Sequence, residues 1–276
     1  MMLRVAAGLV LLSLAGVSAA ETEWQEIAPE VRARLVSSDV LSAQGTTLVG
    51  LELSMPPTTN TYWRVPGETG IPIELDLTGS TGISDHRVHW PYPTVETAKG
   101  YLDYVYYGPL VLPIEVSVAG PNARLTANVT LGVCSDICVP ASFSMELPLD
   151  FAAADAGQRL RLRQAMAVAP ADPPDTSPML GDAELAASGH AIAVEIGDAT
   201  VDVDSLIADF GGDGPLIGPP QKSPQSGIVE LPLLGGENPA ALVGRPVTFT
   251  FMTQQGAFET TRRLGPAAVT PLAVRQ

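Results

Sequence analysis

The sequence has few cysteines, few basic residues and, after its first 20 positions, no long apolar run. Only two cysteines occur among 276 residues, so any disulfide chemistry depends on a single pair. Lysine and arginine number 15 against 30 acidic residues, and the net charge of −15 argues against a basic patch for nucleic acid or anionic lipid. No later segment approaches the roughly 20 apolar residues of a membrane-spanning helix. We therefore expect protein partners and no stable membrane insertion.

The first 20 residues predict a signal peptide. Arg4 supplies a positive charge, residues 5–14 form an uncharged apolar segment, and Ser18 to Ala20 are small residues of the kind that precede a cleavage site. We expect the mature chain to begin at Glu21 and to be soluble in an oxidising compartment outside the cytoplasm.

Residues 31–151 predict an antiparallel β-sandwich of immunoglobulin-like type. Short strand-like runs are separated by Gly, Pro and Asn clusters, with no helix among them, and this pattern is typical of a sandwich. Eight runs are predicted, at 31–40, 46–55, 61–65, 71–77, 87–90, 110–118, 123–131 and 142–149.

The pattern changes after residue 151 and predicts a second unit. Residues 152–168 read as a helix ended by Pro170, and residues 169–178 are so rich in proline that we expect an extended connection. Strands return at 190–196, 200–203, 227–234, 246–252 and 257–264, with a long surface loop at 211–226. We expect four parts: signal peptide 1–20, immunoglobulin-fold domain 21–151, linker 152–179 and a smaller β-sandwich 180–276.

The two cysteines, Cys134 and Cys138, stand four positions apart between two predicted strands. A disulfide that closes so small a loop restricts the unfolded chain little, so stability is a weak reason for the pair. A tight turn over residues 135–137 brings the Cα atoms within bridging distance at an edge of the sandwich. A partner thiolate is then able to approach in line, which points to thiol–disulfide exchange.

Four motifs in order resemble the periplasmic amino-terminal domain of the DsbD and ScsB thiol:disulfide interchange proteins. The resemblance covers about residues 31–151 and is weak beyond residue 180. The motifs are Tyr-Trp-Arg-Val-Pro-Gly-Glu-Thr-Gly-Ile-Pro at 62–72, Trp-Pro-Tyr-Pro at 90–93, Gly-Pro-Leu-Val-Leu-Pro-Ile-Glu-Val at 108–116 and Leu-Gly-Val-Cys-Ser-Asp-Ile-Cys-Val-Pro at 131–140. The three residues between the cysteines look closer to the ScsB branch than to full DsbD.

The resemblance implies a periplasmic relay of electrons through a reversible Cys134–Cys138 disulfide, without a cofactor. By resemblance, Cys138 forms the mixed disulfide and Cys134 resolves it. The implied partners are a membrane-embedded thiol reductase of the DsbD or CcdA type and thioredoxin-like periplasmic proteins. Family members are linked to cytochrome c biogenesis and, in the ScsB branch, to copper tolerance. Whether the chain is itself an enzyme, such as a protein-disulfide reductase component, stays open.

The family shields its cysteines with a flexible cap loop, and the matching segment here is 91–107. Five of the six tyrosines fall in it. We predict a role in the cap or in partner docking for four residues, Tyr92, Pro93, Tyr101 and Tyr104. The alternative is that Tyr104, Tyr106 and Tyr107 fill a strand edge and core.

Metal binding is the main alternative function. His86 and His89 with the two cysteines offer ligands for copper or zinc, but positions three apart on a strand face opposite sides. An inert disulfide and a purely structural sandwich also stay open. A hydrolase finds little support because the sequence contains no Gly-x-Ser-x-Gly motif. We expect no metal ligand.

Overall fold

The computed structural model describes residues 20–98, 100–120, 122–152, 154–174, 178–212, 214–235 and 238–267. The predicted signal peptide, apart from Ala20, lies outside the described residues, and so do the last nine positions. Within the described ranges no helix is both long enough and apolar enough to cross a membrane.

The described part of residues 20–151 forms two antiparallel sheets. Their strands are β1 (Gln25–Ala28), β2 (Val31–Ser37), β3 (Thr46–Ser54), β4 (Asn60–Gly67), β5 (Glu74–Asp76), β6 (Ile83–Val88), β7 (Thr94–Glu96), β8 (Asp103–Tyr107), β9 (Leu110–Val118), β10 (Arg124–Cys134) and β11 (Cys138–Pro148). Sheet 1 has the order β1-β2-β3-β9-β6, and sheet 2 has the order β11-β10-β4-β8-β7, with β5 paired to β10. This is the predicted immunoglobulin-like antiparallel sandwich, called the first sandwich below.

Alternation of side chains along the strands builds the core between the sheets. In β10, Leu125, Ala127, Val129 and Leu131 are buried while the residues between them are more exposed, as period-two geometry requires. Trp63 of β4 is fully buried in the same core and meets Tyr104 edge to face at 5.7 Å. Sheet 2 therefore has two distinct faces. The inner face carries Trp63 and lies in the core, and the outer face is on the opposite side.

One α-helix occurs in the described residues, α1 (Ala156–Val168). It begins later than predicted because Asp155 caps it, its Oδ1 accepting the backbone N–H of Gln158 at 2.8 Å. Leu162 is fully buried where Gly50 leaves room on sheet 1. The helix thus covers the first sandwich and is more than a connection.

The described residues between 178 and 267 form a second, smaller pair of sheets, called the second sandwich below. Its strands are β12 (Leu180–Leu185), β13 (Ala191–Ile196), β14 (Val201–Asp209), β15 (Leu216–Ile217), β16 (Gln221–Lys222), β17 (Ile228–Leu234), β18 (Pro246–Thr253) and β19 (Gly256–Arg263). One sheet has the order β12-β13-β17-β15, with β16 on β17, and the other has β14-β18-β19. Two short strands, β15 and β16, therefore interrupt the predicted loop at 211–226.

Candidate redox site

The two cysteines close the hairpin of β10 and β11. The strands pair without a register shift from Arg124 opposite Pro148 up to Cys134 opposite Cys138. The two cysteines are joined by a disulfide with a Cα–Cα distance of 4.0 Å. Ser135 donates its N–H to the carbonyl of Ile137 at 3.1 Å, which closes the three-residue turn between them. The register of the hairpin therefore places the two cysteines opposite each other, and the disulfide joins the last two facing residues of β10 and β11.

The two cysteines differ in exposure. Cys134 is 4 % exposed, whereas Cys138 and all three residues of the turn are exposed. Ile137, at the tip, is 72 % exposed although it is a large apolar residue. Because exchange requires an in-line approach to one sulfur, Cys138 offers the accessible side and Cys134 the protected side. This asymmetry agrees with the roles that the resemblance implies.

Tyr62 is the side chain whose hydroxyl contacts the disulfide. Its Oη lies 3.0 Å from the Sγ of Cys134 and 3.7 Å from the Sγ of Cys138. A disulfide sulfur carries no proton, so the tyrosine O–H is the donor. Tyr62 is buried and forms a small cluster with Val105 and Cys134. The hydroxyl is thus placed to stabilise negative charge on the sulfur of Cys134 when the disulfide opens.

Two glycines make room for the Tyr62 ring. A Cβ atom at Gly70 would overlap the ring, and one at Gly132 would lie 3.3 Å from its Cδ2 and 3.2 Å from the Cβ of Ile71. The Gly132 N–H also donates to the Ile71 carbonyl at 3.2 Å, which fixes residues 70–72 over β10. The motifs at 62–72 and 131–140 contain these residues, but the sequence pattern did not identify Tyr62, Gly70 or Gly132 as site residues. The sequence did contain a signal for them, because this tyrosine and both glycines fall within motifs that resemble one family.

Two of the predicted cap residues, Tyr92 and Tyr104, contact the second sandwich. The hydroxyl of Tyr92 donates to the Ser205 carbonyl at 2.6 Å, and that of Tyr104 to the Ile217 carbonyl at 3.4 Å, both in the second sandwich. Pro93 is buried, and Tyr101 is 54 % exposed. The segment 91–107 forms β7 and β8 of sheet 2, where a flexible loop was expected. No hydrogen bond described for Tyr92 or Tyr104 reaches a sulfur, whereas one of Tyr62 does, and the role of the four residues in a cap or in partner docking stays a prediction.

Burial keeps three of these tyrosines neutral. Burial raises the pKa of Tyr92 to about 12 and raises the pKa of Tyr104 and Tyr106 as well. The Tyr106 hydroxyl donates to the Pro91 carbonyl at 2.7 Å. At neutral pH these side chains are un-ionised, and their hydroxyl hydrogen bonds hold the segment in place. Both Tyr104 and Tyr106 are buried in the core of the first sandwich, which is the alternative that the sequence left open for them.

An ion cluster joins the strand of Tyr62 to the second sandwich. The Nη2 atom of Arg64 lies 2.9 Å from the Asp209 Oδ2, 2.8 Å from the Glu259 Oε2 and 3.2 Å from the Thr250 Oγ1. The guanidinium also stacks on the Trp63 ring, 4.0 Å from its centroid. Burial alone lowers the pKa of Arg64, but the two carboxylates outweigh burial and raise it. Arg64 is therefore a charged tether between the two sandwiches.

The histidines are not brought to the cysteines. His86 lies on β6 at the edge of sheet 1 and His89 follows that strand, whereas the cysteines lie in sheet 2. The His89 Nε2 is 3.7 Å from the Glu115 Oε2, and burial, followed by the charge of Arg87, lowers the pKa of His89. No three His, Cys, Asp or Glu side chains of the described residues group as metal ligands. The alternative of a shared cysteine–histidine site has no geometric support.

Comparison with known proteins adds a family and a fold. Residues 25–149 match the family model described as "Thiol:disulfide interchange protein DsbD, N-terminal". A crystal structure of the N-terminal periplasmic domain of ScsB from Proteus mirabilis superposes with a TM-score of 0.66 and 22 % identity, covering 89 % of this chain and 98 % of that one. No curated protein sequence is significantly similar to the chain. The match covers both sandwiches and shows a common fold.

Proposed function

Because residues 25–149 of the chain belong to the amino-terminal domain family of the DsbD thiol:disulfide interchange proteins, we propose that the protein relays electrons through the Cys134–Cys138 disulfide in the periplasm. The proposed partners are a membrane-embedded thiol reductase and thioredoxin-like periplasmic proteins. The observation that carries the proposal is the asymmetry of the pair, with an exposed Cys138 beside a buried Cys134 that accepts a hydrogen bond from Tyr62.

Reduction by a partner dithiol follows from this geometry. A partner thiolate attacks the Sγ of Cys138, the S–S bond breaks, and the Sγ of Cys134 leaves as a thiolate. The Tyr62 hydroxyl donates to that thiolate. The second partner thiolate then attacks the partner sulfur of the mixed disulfide and releases Cys138 as a thiolate, so two electrons pass to this protein and the partner leaves oxidised.

Transfer onward is the reverse. The Cys138 thiolate attacks the disulfide of an oxidised client, and one client sulfur leaves as a thiolate. The Cys134 thiolate then attacks the Sγ of Cys138, which re-forms the disulfide and frees the client as a dithiol. We assign Cys138 to the mixed disulfide and Cys134 to its resolution. The second sandwich would position the redox domain or contribute to partner choice.

Trapping of the mixed disulfide tests this assignment. A thioredoxin-like partner that keeps only its reactive cysteine, activated as a mixed disulfide with thionitrobenzoate, should form no covalent complex with reduced Cys138→Ser. Reduced Cys134→Ser should accumulate the complex, with thionitrobenzoate as the leaving group, because neither protein then carries a cysteine that resolves it. His86→Ala and His89→Ala should behave as the unchanged protein. A complex that forms through Cys134 but not Cys138 would reverse the roles.

Equilibration in glutathione buffers tests whether the pair is redox-active at all. A reduction potential below about −300 mV, with no exchange with a thioredoxin-like partner, would identify an inert bridge. Exchange with such a partner supports the relay.

A further inference from the structure

The outer face of sheet 2 places the disulfide, an aromatic ring and carboxylates on one surface. Cys134 pairs with Asn60, and Asn60 pairs with Tyr107, so these three residues lie opposite one another on adjacent strands. Directly paired residues in neighbouring strands point to the same face, and so do residues two apart. Asp103 and its partner Glu96 on β7 therefore lie on the face of Tyr107 and Cys134.

Contacts agree with this placement. The Tyr107 hydroxyl donates to the Glu96 Oε2 at 3.2 Å. Partial burial, the hydrogen bond to Glu96 and the nearby Asp103 raise the pKa of Tyr107. The Asp103 carboxylate also accepts the N–H and hydroxyl of Thr69. Asp136, in the turn between the cysteines, is exposed. Two carboxylates thus lie on the sheet face that carries Cys134, and a third lies in the turn between the cysteines.

Large apolar side chains are exposed among these carboxylates. Ile137 is 72 % exposed, Tyr107 44 % and Ile71 38 %. Ile137 belongs to the cysteine turn, and Ile71 packs beside the Tyr62 ring at Gly132. We call this surface, made of Ile71, Tyr107 and Ile137 with Glu96, Asp103 and Asp136, the exchange face. Burial of apolar area at the centre with charges at the rim is the usual composition of a transient interface.

We propose that the exchange face selects partner proteins whose reactive cysteine is surrounded by an apolar residue and a basic rim. This inference rests on the proposed function and specifies the partner. Opposite charges at a rim raise the association rate more than the affinity, and salt screens the effect. The carboxylates would therefore act as an electrostatic filter on which thiols reach Cys138.

Two cysteine peptides provide the test, one with lysines and one with glutamates on either side of an otherwise identical Leu-Cys-Leu core. Each reduces the oxidised full chain, with rates expressed per thiolate. At low ionic strength the lysine peptide should react on the order of tenfold faster than the glutamate peptide, and 0.5 M salt should remove most of the difference. The rate of reduction by dithiothreitol, an uncharged thiol, gives the intrinsic reactivity of the Cys134–Cys138 disulfide.

Variants locate the effect. Glu96→Gln with Asp136→Asn should bring the ratio of the two peptide rates close to one. Asp85→Asn with Asp172→Asn, which also removes two negative charges but at or near β6, the edge strand of sheet 1, should not. Ile137→Ser should slow both peptides and leave dithiothreitol unaffected. Equal rates for both peptides, or a ratio that the double variant leaves unchanged, would overturn this inference while leaving the relay standing. Failure of every thiol to reduce the pair would overturn the relay itself.

Discussion

At the scale of single residues, the hydroxyl of Tyr62 bears on the redox chemistry, and the buried carboxylate of Asp39 bears on stability. Tyr62 joins the chemistry of the pair to the sandwich because its hydroxyl meets both sulfurs while its ring is buried. A hydrogen bond to an ionised group contributes about 1.5–3 kcal/mol, enough to shift thiol reactivity by tenfold or more. The family resemblance and the concentration of tyrosines predicted aromatic shielding by residues 91–107, and neither identified Tyr62.

Removal of the Tyr62 hydroxyl should make the pair harder to reduce. In Tyr62→Phe the leaving Cys134 thiolate loses its donor, so we expect the pKa of this thiol to rise and reduction by dithiothreitol to slow roughly tenfold. The pH dependence of thiol alkylation and stopped-flow reduction measure these changes. Tyr107→Phe is the matched control, because its hydroxyl donates to Glu96. An equal effect in both variants would contradict the role of Tyr62.

Asp39 is a buried carboxylate that should make stability depend on pH. It is 1 % exposed with φ of 48°, and burial raises its pKa although the Ser37 hydroxyl donates to it at 2.6 Å. Since its pKa is higher in the folded than in the unfolded chain, its stabilising contribution is present below the unfolded value of 3.8 and is lost as pH rises through the folded value. The ionised group therefore disfavours folding at neutral pH.

Asp39→Asn removes that charge and should raise the melting temperature at pH 7, with a difference that shrinks toward pH 4. The side-chain oxygen of asparagine is able to accept the same hydrogen bond from the Ser37 hydroxyl, and asparagine tolerates the positive φ of this position. Thermal unfolding by circular dichroism measures the difference, with Asp85→Asn as the exposed control. A melting-temperature gain that is equal at both pH values would show that the Asp39 charge is not its cause.

At the scale of elements, the site depends on a β-hairpin and on one segment laid over it. The hairpin of β10 and β11 places the cysteines opposite each other, and residues 70–72 hold the Tyr62 ring beside them. The run at 110–118 was predicted with the bounds that β9 has. Short β7 and β8 were missed because tyrosine-rich runs bounded by Pro and Gly resemble a loop until neighbouring strands supply hydrogen bonds.

Gly70→Ala should disturb the pair without touching a cysteine. The added Cβ overlaps the Tyr62 ring, and overpacking of this kind costs about 1–3 kcal/mol, which corresponds to a melting temperature lower by several degrees. Reduction by dithiothreitol should shift in the same direction as in Tyr62→Phe. Gly120→Ala is the control, since a Cβ there meets no atom within 4 Å. Unchanged stability and rate in Gly70→Ala would show that the ring relocates freely.

At the scale of the whole molecule, polar contacts join the two sandwiches. Tyr92, Tyr104 and Arg64 of the first sandwich all bind groups of the second. Ile207 of β14 also belongs to the core of the first sandwich. The ion pairs of Arg64 with Asp209 and Glu259 are only partly exposed, so loss of the guanidinium would remove this charge partner from both carboxylates. The boundary expected near 152–179 remains a proposal, because the second sandwich contributes to the first core.

Arg64→Met should destabilise the chain more than loss of a surface ion pair. Breaking a buried pair leaves an uncompensated charge and costs about 3–5 kcal/mol, while an exposed pair contributes at most about 1 kcal/mol. Denaturant unfolding measures the difference, with Arg124→Met, whose exposed partner is Glu146 at 3.3 Å, as control. Adding Asp209→Asn and Glu259→Gln should restore part of the loss. Equal destabilisation by both arginine variants would contradict the tether.

The sequence by itself determined most strands of the first sandwich, the pairing distance of two cysteines in a turn, and the match of residues 25–149 to one family model. These are local, because period-two alternation and turn residues act over a few neighbours along the chain. Only the tertiary structure decided that Tyr62 meets the sulfurs, that Tyr92 and Tyr104 bind the second sandwich, and that Arg64 tethers it. Such contacts join residues 72 to 195 positions apart, for example Tyr62 to Cys134 and Arg64 to Glu259, and no local pattern encodes which distant side chain fills a given space.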